Sequence, residues 1–432
     1  MKMFNNKNIT VQDGHLFVGG CDTVELAKEY GTPLYIMDET TVRENCKLFV
    51  DSMKKNYKKS LVLYASKALN CLELCRIAND EGMGLDVVSG GELYTALKAG
   101  VPAGKLFFHG NNKTDEEIKM AIEHKIGRII VDNMSELETV DKTAAEMGAC
   151  PNIMFRIKPG VDAHTHNFVR TGQIDSKFGF ALENGEAYEA VKKAISLKNV
   201  HLTGLHCHIG SQIFDDEPFV SAALIMVKFY KKIKDELGKT FDDLNLGGGF
   251  GIKYVEQDDP MAYDKFMEKV SNVIHDYCST NGLDVPRILI EPGRSIVGAA
   301  GVTLYTVGAV KEIENVRNYV TIDGGMCDNP RYALYQSEYT AIIANKAEEP
   351  TDYTATIGGK CCESGDLIGE HMKIAKPEKG DIVAVLSTGA YNYSMASNYN
   401  RNPRPAMVMV KDGQGRVIIR RESYEDLVKN DV

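Results

Sequence analysis

No run of apolar residues in this chain approaches the roughly 18 positions that a membrane-crossing helix requires. The opening residues, MKMFNNKNITVQDGH, lack the apolar core of a secretory signal. Lysine and arginine form no dense block, and the formal net charge is −10. That balance argues against a nucleic-acid partner or an anionic membrane surface. The 10 cysteines contain no CxxC pair and no zinc-ligand spacing. They read as reduced thiols of a cytoplasmic protein rather than a disulfide framework. Low-complexity tracts are missing, as is any repeat beyond the strand–helix alternation described next. Tryptophan is also absent, which excludes nothing.

What is present is an ordinary globular composition, 44% hydrophobic and 25% charged, over 432 residues, enough for two domains. Short apolar runs recur through the first 300 residues: PLYIMD (33–38), LVLYASKA (61–68), LDVVS (85–89), KLFFHG (105–110), RIIVDN (128–133), IMFRIKP (153–159), VHLTGLHCHIG (200–210), LNLGGGF (244–250) and RILIEPGR (287–294). Segments of helical period separate them, which is the mark of βα units and a parallel sheet. A doubly wound open sheet is the alternative, but this many units suit a (β/α)8 TIM-type barrel better. Nine candidates are one too many for eight strands, so one end strand belongs outside. Beyond residue 300 the pattern turns to alternating and apolar runs with Gly/Asp turns, the mark of a β-sandwich or β-barrel domain. QDGH (12–15) and KDGQGR (411–416) read as hairpin turns. The expected division is 1–32, a hairpin joining the β domain; 33–299, the barrel; and 300–432, the β domain.

Unusual residues gather where the barrel strands end: Lys67, Asp86, His109, Asn111, Asn112, Asp132, Arg156, His208, Gly247–Gly249, Glu291 and Arg294. In a (β/α)8 barrel these ends share one face, and that face carries the active site. Strand-ending turns account for the Gly, Asn and Asp residues but not for Lys67, Arg156, His208 or Arg294. A lysine closing an apolar strand either snorkels to water or works as a nucleophile with a lowered pKa. The triple glycine makes a tight turn or cradles a phosphate, without the spacing of a nucleotide-binding P-loop. Glu291 and Arg294, in EPGR, form an internal ion pair or hold a ring nitrogen and an anion. His206 and His208 share one side of a strand; a metal site lacks a third ligand nearby in sequence, so a ring stacked on a planar ligand is the better reading. Cys361 and Cys362 are buried thiols, or one of them, beside a carboxylate, donates a proton.

A covalent lysine, a glycine cradle, a stacking histidine and a carboxylate for a pyridine nitrogen together describe a pyridoxal-phosphate site. On YASKA (64–68), LDVVSGGEL (85–93), HGNNK (109–113), HTHNFVRTGQIDSKFGF (164–180), GLHCHIGSQI (204–213), LGGGFG (246–251), EPGR (291–294), CESGD (362–366) and NPRPA (402–406), the chain resembles the diaminopimelate decarboxylases. These share an alanine-racemase-like fold with ornithine and arginine decarboxylases, and the resemblance spans nearly the whole chain. It implies decarboxylation of meso-2,6-diaminopimelate to L-lysine, the last step of lysine biosynthesis, with pyridoxal 5'-phosphate and no metal. It implies that Lys67 binds the cofactor covalently, that His208 stacks on its ring and that Glu291 pairs with its ring nitrogen. Asp86 and Arg156 support the ring side. Ser211, Gly248, Gly249, Gly293, Arg294 and Tyr391 hold the phosphate. Arg294, Arg331, Tyr335 and Tyr391 bind substrate, Glu363 takes the distal ammonium, and Cys362 returns the proton to Cα. Cys362 and Glu363 serve the partner subunit's site, so a homodimer is implied. Lys360 and Cys361 before CESGD depart from the family pattern, which leaves Cys361 or Cys362 as the reactive thiol, with Cys362 preferred by register; Pro330 before Arg331 is a second departure. A decarboxylase for lysine, ornithine or arginine is the main rival, but two arginines left unpaired would penalise those substrates. A racemase would place arginine at the ring nitrogen, and an inactive regulator would have lost Lys67 or the Cys-Glu pair.

Overall fold

The computed structural model describes residues 6–161 and 175–432. The part of the HTHNFVRTGQIDSKFGF motif spanning 164–174 therefore lies outside the described residues. The chain divides into two compact units, Cys46–Gly251 with Pro260–Gly293, and Met1–Asn45 with Ile252–Asp259 and Arg294–Val432.

In the first unit eight parallel strands close on themselves. In pairing order they are Ser60–Ala65, Gly84–Val87, Leu106–Phe108, Arg128–Val131, Asn152–Lys158, His201–Cys207, Asp243–Asn245 and Arg287–Ile290, the last pairing with the first. Sequences such as RIIV and RILI are buried at three of four positions. A strand covered on both faces needs this near-continuous apolar character. Leu63, Phe107, Ile130, Met154 and Leu289 pack together inside. The intervening helices begin at side-chain caps: Ser89 accepts from the Glu92 amide, and Thr114 with Glu117 makes a capping box. At the N-terminal strand ends, the buried Asp243 carboxylate accepts from Arg128 Nε at 2.9 Å and Arg287 Nε at 2.7 Å.

The second unit is β-rich. Its 13-residue strand Gly301–Ile313 pairs with Arg317–Ile322, Ile382–Leu386 and Leu34–Asp38. This strand carries side chains into two apolar clusters, Val302 and Leu304 in one, Tyr305 and Val307 in the other. Both DG turns form hairpins, with left-handed φ of 49° and 78° at Asp13–Gly14 and 51° and 76° at Asp412–Gly413.

PLYIMD is the ninth candidate, the strand that does not belong to the barrel. Leu34–Asp38 runs antiparallel to Gly301–Ile313 and parallel to Ala406–Lys411. All five of its residues are buried, so as a central strand it reads like a barrel strand. The barrel unit accordingly begins at residue 46 rather than 33, ends at 293 rather than 299, and leaves Ile252–Asp259 to the other unit.

One buried lysine ties two strand ends and a helix together. Lys113 Nζ donates to Gly110 O at 2.9 Å, Ile130 O at 2.7 Å and Glu136 Oε1 at 2.7 Å. Burial pulls the Lys113 pKa down and pushes that of Glu136 up, with their mutual attraction opposing both. Removing one member of such a pair strands the other. Lys113→Met is expected to lower the unfolding free energy by about 3–5 kcal/mol in urea titration, and the double change with Glu136→Leu to recover most of it. A single change within error of wild type would refute the role.

Candidate active site

The turn that carries Lys67 is set by its neighbours. Ser60–Ala65 runs into a short turn, Ser66–Ala68. The Ser66 hydroxyl lies 2.9 Å from the Asp86 carbonyl and 2.8 Å from Glu92 Oε2, and Glu92 also accepts the Val88 amide at 2.9 Å. Behind the turn a Cβ on Gly293 would stand 2.9 Å from the Ala65 carbonyl oxygen, which is why a glycine follows Pro292. Lys67 itself is not buried. Its side chain keeps 42% exposure, and Nζ stands 3.8 Å from Asp86 Oδ2.

Glu291, one residue past the Arg287–Ile290 strand, is the centre of the barrel mouth. His206 Nε2 bonds its Oε2 at 3.2 Å, and Asn245 Nδ2 donates to Oε1 at 2.6 Å. His109 Nε2 lies 2.9 Å from Oε1, a direct polar contact. Burial alone would raise the Glu291 pKa, but His109 and His206 together hold it well below the usual carboxylate range. His206 is buried, and its Nε2 faces a carboxylate that can only accept, so Nε2 carries the proton. The ligating atoms of His109, His206 and Glu291 lie within 4.8 Å of one another, the third-ligand geometry that the sequence did not reveal. Their separations of 2.9 and 3.2 Å are those of direct polar contacts.

Gly247, Gly248 and Gly249 lie between two strand ends. Gly247 and Gly249 have φ of +71° and +113°, and a Cβ on Gly248 would overlap the Glu291 carbonyl oxygen. The Gly248 amide donates to His208 Nδ1 at 3.3 Å. Asp86 is buried, with Oδ1 3.7 Å from His109 Nε2. Burial raises its pKa, against the pull of His109 and Lys67. Arg156 spreads over the Phe178 ring at 4.1 Å, and Ser211 is half-buried at the turn after His208.

The other predicted residues belong to the second unit. Arg294 and Arg331 are both buried, and each directs an Nη1 at the Tyr254 hydroxyl, at 2.6 and 2.7 Å. Burial would raise the Tyr254 pKa, but the two guanidiniums bring it below its ordinary value. Arg331 also reaches Ser337 Oγ at 3.1 Å, and the Arg294 guanidinium covers the Tyr391 ring at 4.7 Å. Tyr335 is half-buried at the end of the Arg331–Tyr335 helix. Cys362 and Glu363 are exposed, whereas Cys361 is buried. Their loop is pinned by Asp366, which accepts the amides of Met326 at 2.5 Å and Cys361 at 2.7 Å.

Tyr254, Glu92 and Asn245 were not picked out from the sequence. Nothing local marks Tyr254. Glu92 and Asn245 did carry a signal: a polar side chain next to or inside an apolar strand end must find buried partners.

Comparison with known proteins follows the same division. A family model described as "Pyridoxal-dependent decarboxylase, pyridoxal binding domain" matches residues 41–298, which sets the class. A relative from Bacillus subtilis (strain 168) named diaminopimelate decarboxylase is 49% identical over 421 residues, covering 98% of this chain and 96% of its own. The crystal structure of diaminopimelate decarboxylase from M. jannaschii in complex with L-lysine aligns with a TM-score of 0.93 at 38% identity, over 100% of this chain and 99% of that one. Its Helicobacter pylori counterpart, also with L-lysine, gives 0.86 at 31%, covering 94% and 98%. The chain belongs to the diaminopimelate decarboxylase family. Pyridoxal phosphate is its cofactor, and the barrel mouth fits it. Neither Asp86 carboxylate oxygen has a hydrogen-bond partner among the described residues, and the glycine loop leaves backbone where side chains would otherwise stand.

Two histidines at the barrel mouth, His206 buried and His208 half-buried, give stability a defined pH dependence. An unfolded histidine titrates near 6.5. Burial pushes His206 down to about 4 despite Glu291, and burial, with Lys67 and Arg156 nearby, also lowers His208. Both stay neutral in the folded chain, and the unfolded chain binds the protons first. Stability is therefore full above about pH 6.5 and falls toward pH 4, by up to about 1.4 kcal/mol per pH unit for each histidine. Glu291, held low, adds its own loss only below about pH 4.5. Urea midpoints measured from pH 7.5 to 4.5 should show this slope, and His206→Gln should remove one histidine's share. An unaltered slope would exclude His206.

Proposed function

We propose that this chain removes CO2 from meso-2,6-diaminopimelate to give L-lysine, with pyridoxal phosphate held by the barrel unit. The observation that carries the substrate choice is the buried pair Arg294 and Arg331, both aimed at one phenol oxygen. Two guanidiniums suit a second carboxylate, which lysine, ornithine and arginine lack.

In the barrel unit, Lys67 is the anchoring amine, its turn fixed by Ser66 and Glu92. Asp86, Arg156 and His208 hold the ring side, and Glu291 holds the proton at the ring nitrogen. Ser211, Gly248, Gly249 and the backbone at Gly293 and Arg294 serve the phosphate, and Tyr391 is assigned a contact to it. Bound there, the cofactor supplies the electron sink for the pair left when the Cα–carboxylate bond breaks. A carboxylate already held ionised at Glu291 keeps that ring nitrogen protonated, which strengthens the sink. Arg294, Arg331, Tyr335 and Tyr391 grip the distal carboxylate, and Glu363 takes the distal ammonium. Cys362 delivers the proton to Cα. Exposure of Cys362 supports its choice over the buried Cys361. The same exposure supports a homodimer in which Cys362 of the partner subunit and Glu363 of the partner subunit complete each site. The ten free thiols suit a reducing cytoplasm.

Carbon dioxide release should be seen with meso-diaminopimelate and added pyridoxal phosphate, and not with lysine, ornithine or arginine. Equal release from a monocarboxylate diamine would overturn the substrate assignment. Arg331→Ala should raise KM for diaminopimelate about 100-fold, or roughly 3 kcal/mol. Mixing Lys67→Ala and Cys362→Ala proteins, each inactive alone, should restore activity through hybrid dimers; no recovery would remove the shared-site model.

A further inference from the structure

Glu291 is fixed by more than its own strand. Its carboxylate offers about four acceptor positions. His206 Nε2 takes one on Oε2 and Asn245 Nδ2 takes one on Oε1, with His109 Nε2 pressed against Oε1 at 2.9 Å. Asn245 also acts on its other side, where its Oδ1 accepts the Gly247 amide at 2.9 Å. The Glu291 amide in turn donates to the Gly247 carbonyl at 2.8 Å. Glu291 and the first glycine of the loop are thus joined by a closed ring of three hydrogen bonds, through Asn245 and through the backbone. All of these groups are buried: Asn245 is 0% exposed, His206 1% and Glu291 5%.

We propose that His206 and Asn245 are positioning residues: His206 aims the Glu291 carboxylate, and Asn245 locks Glu291 to the glycine loop, so that the ring-nitrogen end and the phosphate end of the cofactor are received by one preformed unit. This rests on Glu291 as the ring-nitrogen partner and the glycine loop as the phosphate cradle. His206 therefore acts on the ring end alone, while Asn245 acts on both ends. The other charged and titratable groups facing Glu291 are His109, His208, Cys207, Asp86 and Arg156.

Three variants separate these roles: His206→Leu, His206→Gln and Asn245→Ala. Affinity for pyridoxal phosphate is read by absorbance on resolved enzyme, and affinity for inorganic phosphate by competition. His206→Leu should weaken cofactor binding on the order of 10–100-fold, shift the pH at which the cofactor absorbance changes, and lower kcat with KM unchanged. Phosphate affinity should stay at the wild-type value. His206→Gln, whose amide can still donate, should return cofactor affinity to within about threefold of wild type. Asn245→Ala should weaken both cofactor and inorganic phosphate. If His206→Leu and Asn245→Ala lower Tm but leave both affinities and the absorbance profile in place, the residues are merely structural and the inference fails. Stoichiometric zinc uptake by resolved enzyme, abolished in His206→Gln, would make the trio a metal site and also overturn it. Wild-type protein with no cofactor band would defeat the proposed function instead, whatever the variants do.

Discussion

A carboxylate buried in a protein must be either neutralised or surrounded by donors, because dehydrating its charge costs several kcal/mol. Glu291 meets that demand with His206, Asn245 and His109, and much of the barrel mouth follows from it. Bringing these groups together takes the ends of three neighbouring strands, which supply His206, Asn245 and Glu291, and of the Leu106–Phe108 strand, which supplies His109. The Gly247–Gly249 loop is what allows the convergence. A Cβ at Gly247 would overlap the Cys207 carbonyl oxygen and one at Gly248 that of Glu291. The glycines therefore have a packing reason and a ligand reason at once, and the two are not competitors. The loop that packs against both Glu291 and His208 is the same loop whose backbone glycines suit an anion.

How far the sequence could be read follows from which signals are local. Eight of nine apolar runs became barrel strands because burial on both faces writes itself into consecutive residues. PLYIMD went elsewhere for the same reason: full burial does not distinguish a barrel strand from the centre of another sheet. Both DG hairpins were legible because a left-handed turn has a residue-level signature. The strand-end rule brought Lys67, Asp86, His208, Glu291 and the glycine loop into one unit, because parallel strands in a closed barrel share a direction. Partnerships across long separations left no local mark. Tyr254 meets Arg331 across 77 positions, and Asn245 meets Glu291 across 46.

Lysine illustrates the limit of single-residue reasoning. The argument that a lysine on an apolar strand is either snorkelling or employed picked out Lys67, which is half-exposed and faces Asp86. The deeply buried lysine is Lys113, whose side chain is 1% exposed. Its three donors are all used, on two carbonyls and Glu136, so it is spent on structure. Burial alone thus does not separate a working lysine from a structural one. Lys113 is marked as structural by its bonds: with three N–H groups committed to two carbonyls and a carboxylate, it offers no amine lone pair to a ligand.

The same criterion distinguishes the two ends of the barrel. At the N-terminal end, Asp243 is met by Arg128 and Arg287 at 2.7–2.9 Å and is saturated by protein groups. At the C-terminal end Asp86 is buried as completely, yet neither of its oxygens has a hydrogen-bond partner among the described residues, and the His109 ring nitrogen and the Lys67 ammonium stand at 3.7 and 3.8 Å. A fold under selection for stability alone would not leave a buried carboxylate in that condition, because each unmade bond costs about 1–3 kcal/mol. One end of the barrel is finished by the chain itself. The other buries a carboxylate that the described protein groups leave without a hydrogen bond, and that contrast sets the C-terminal end apart.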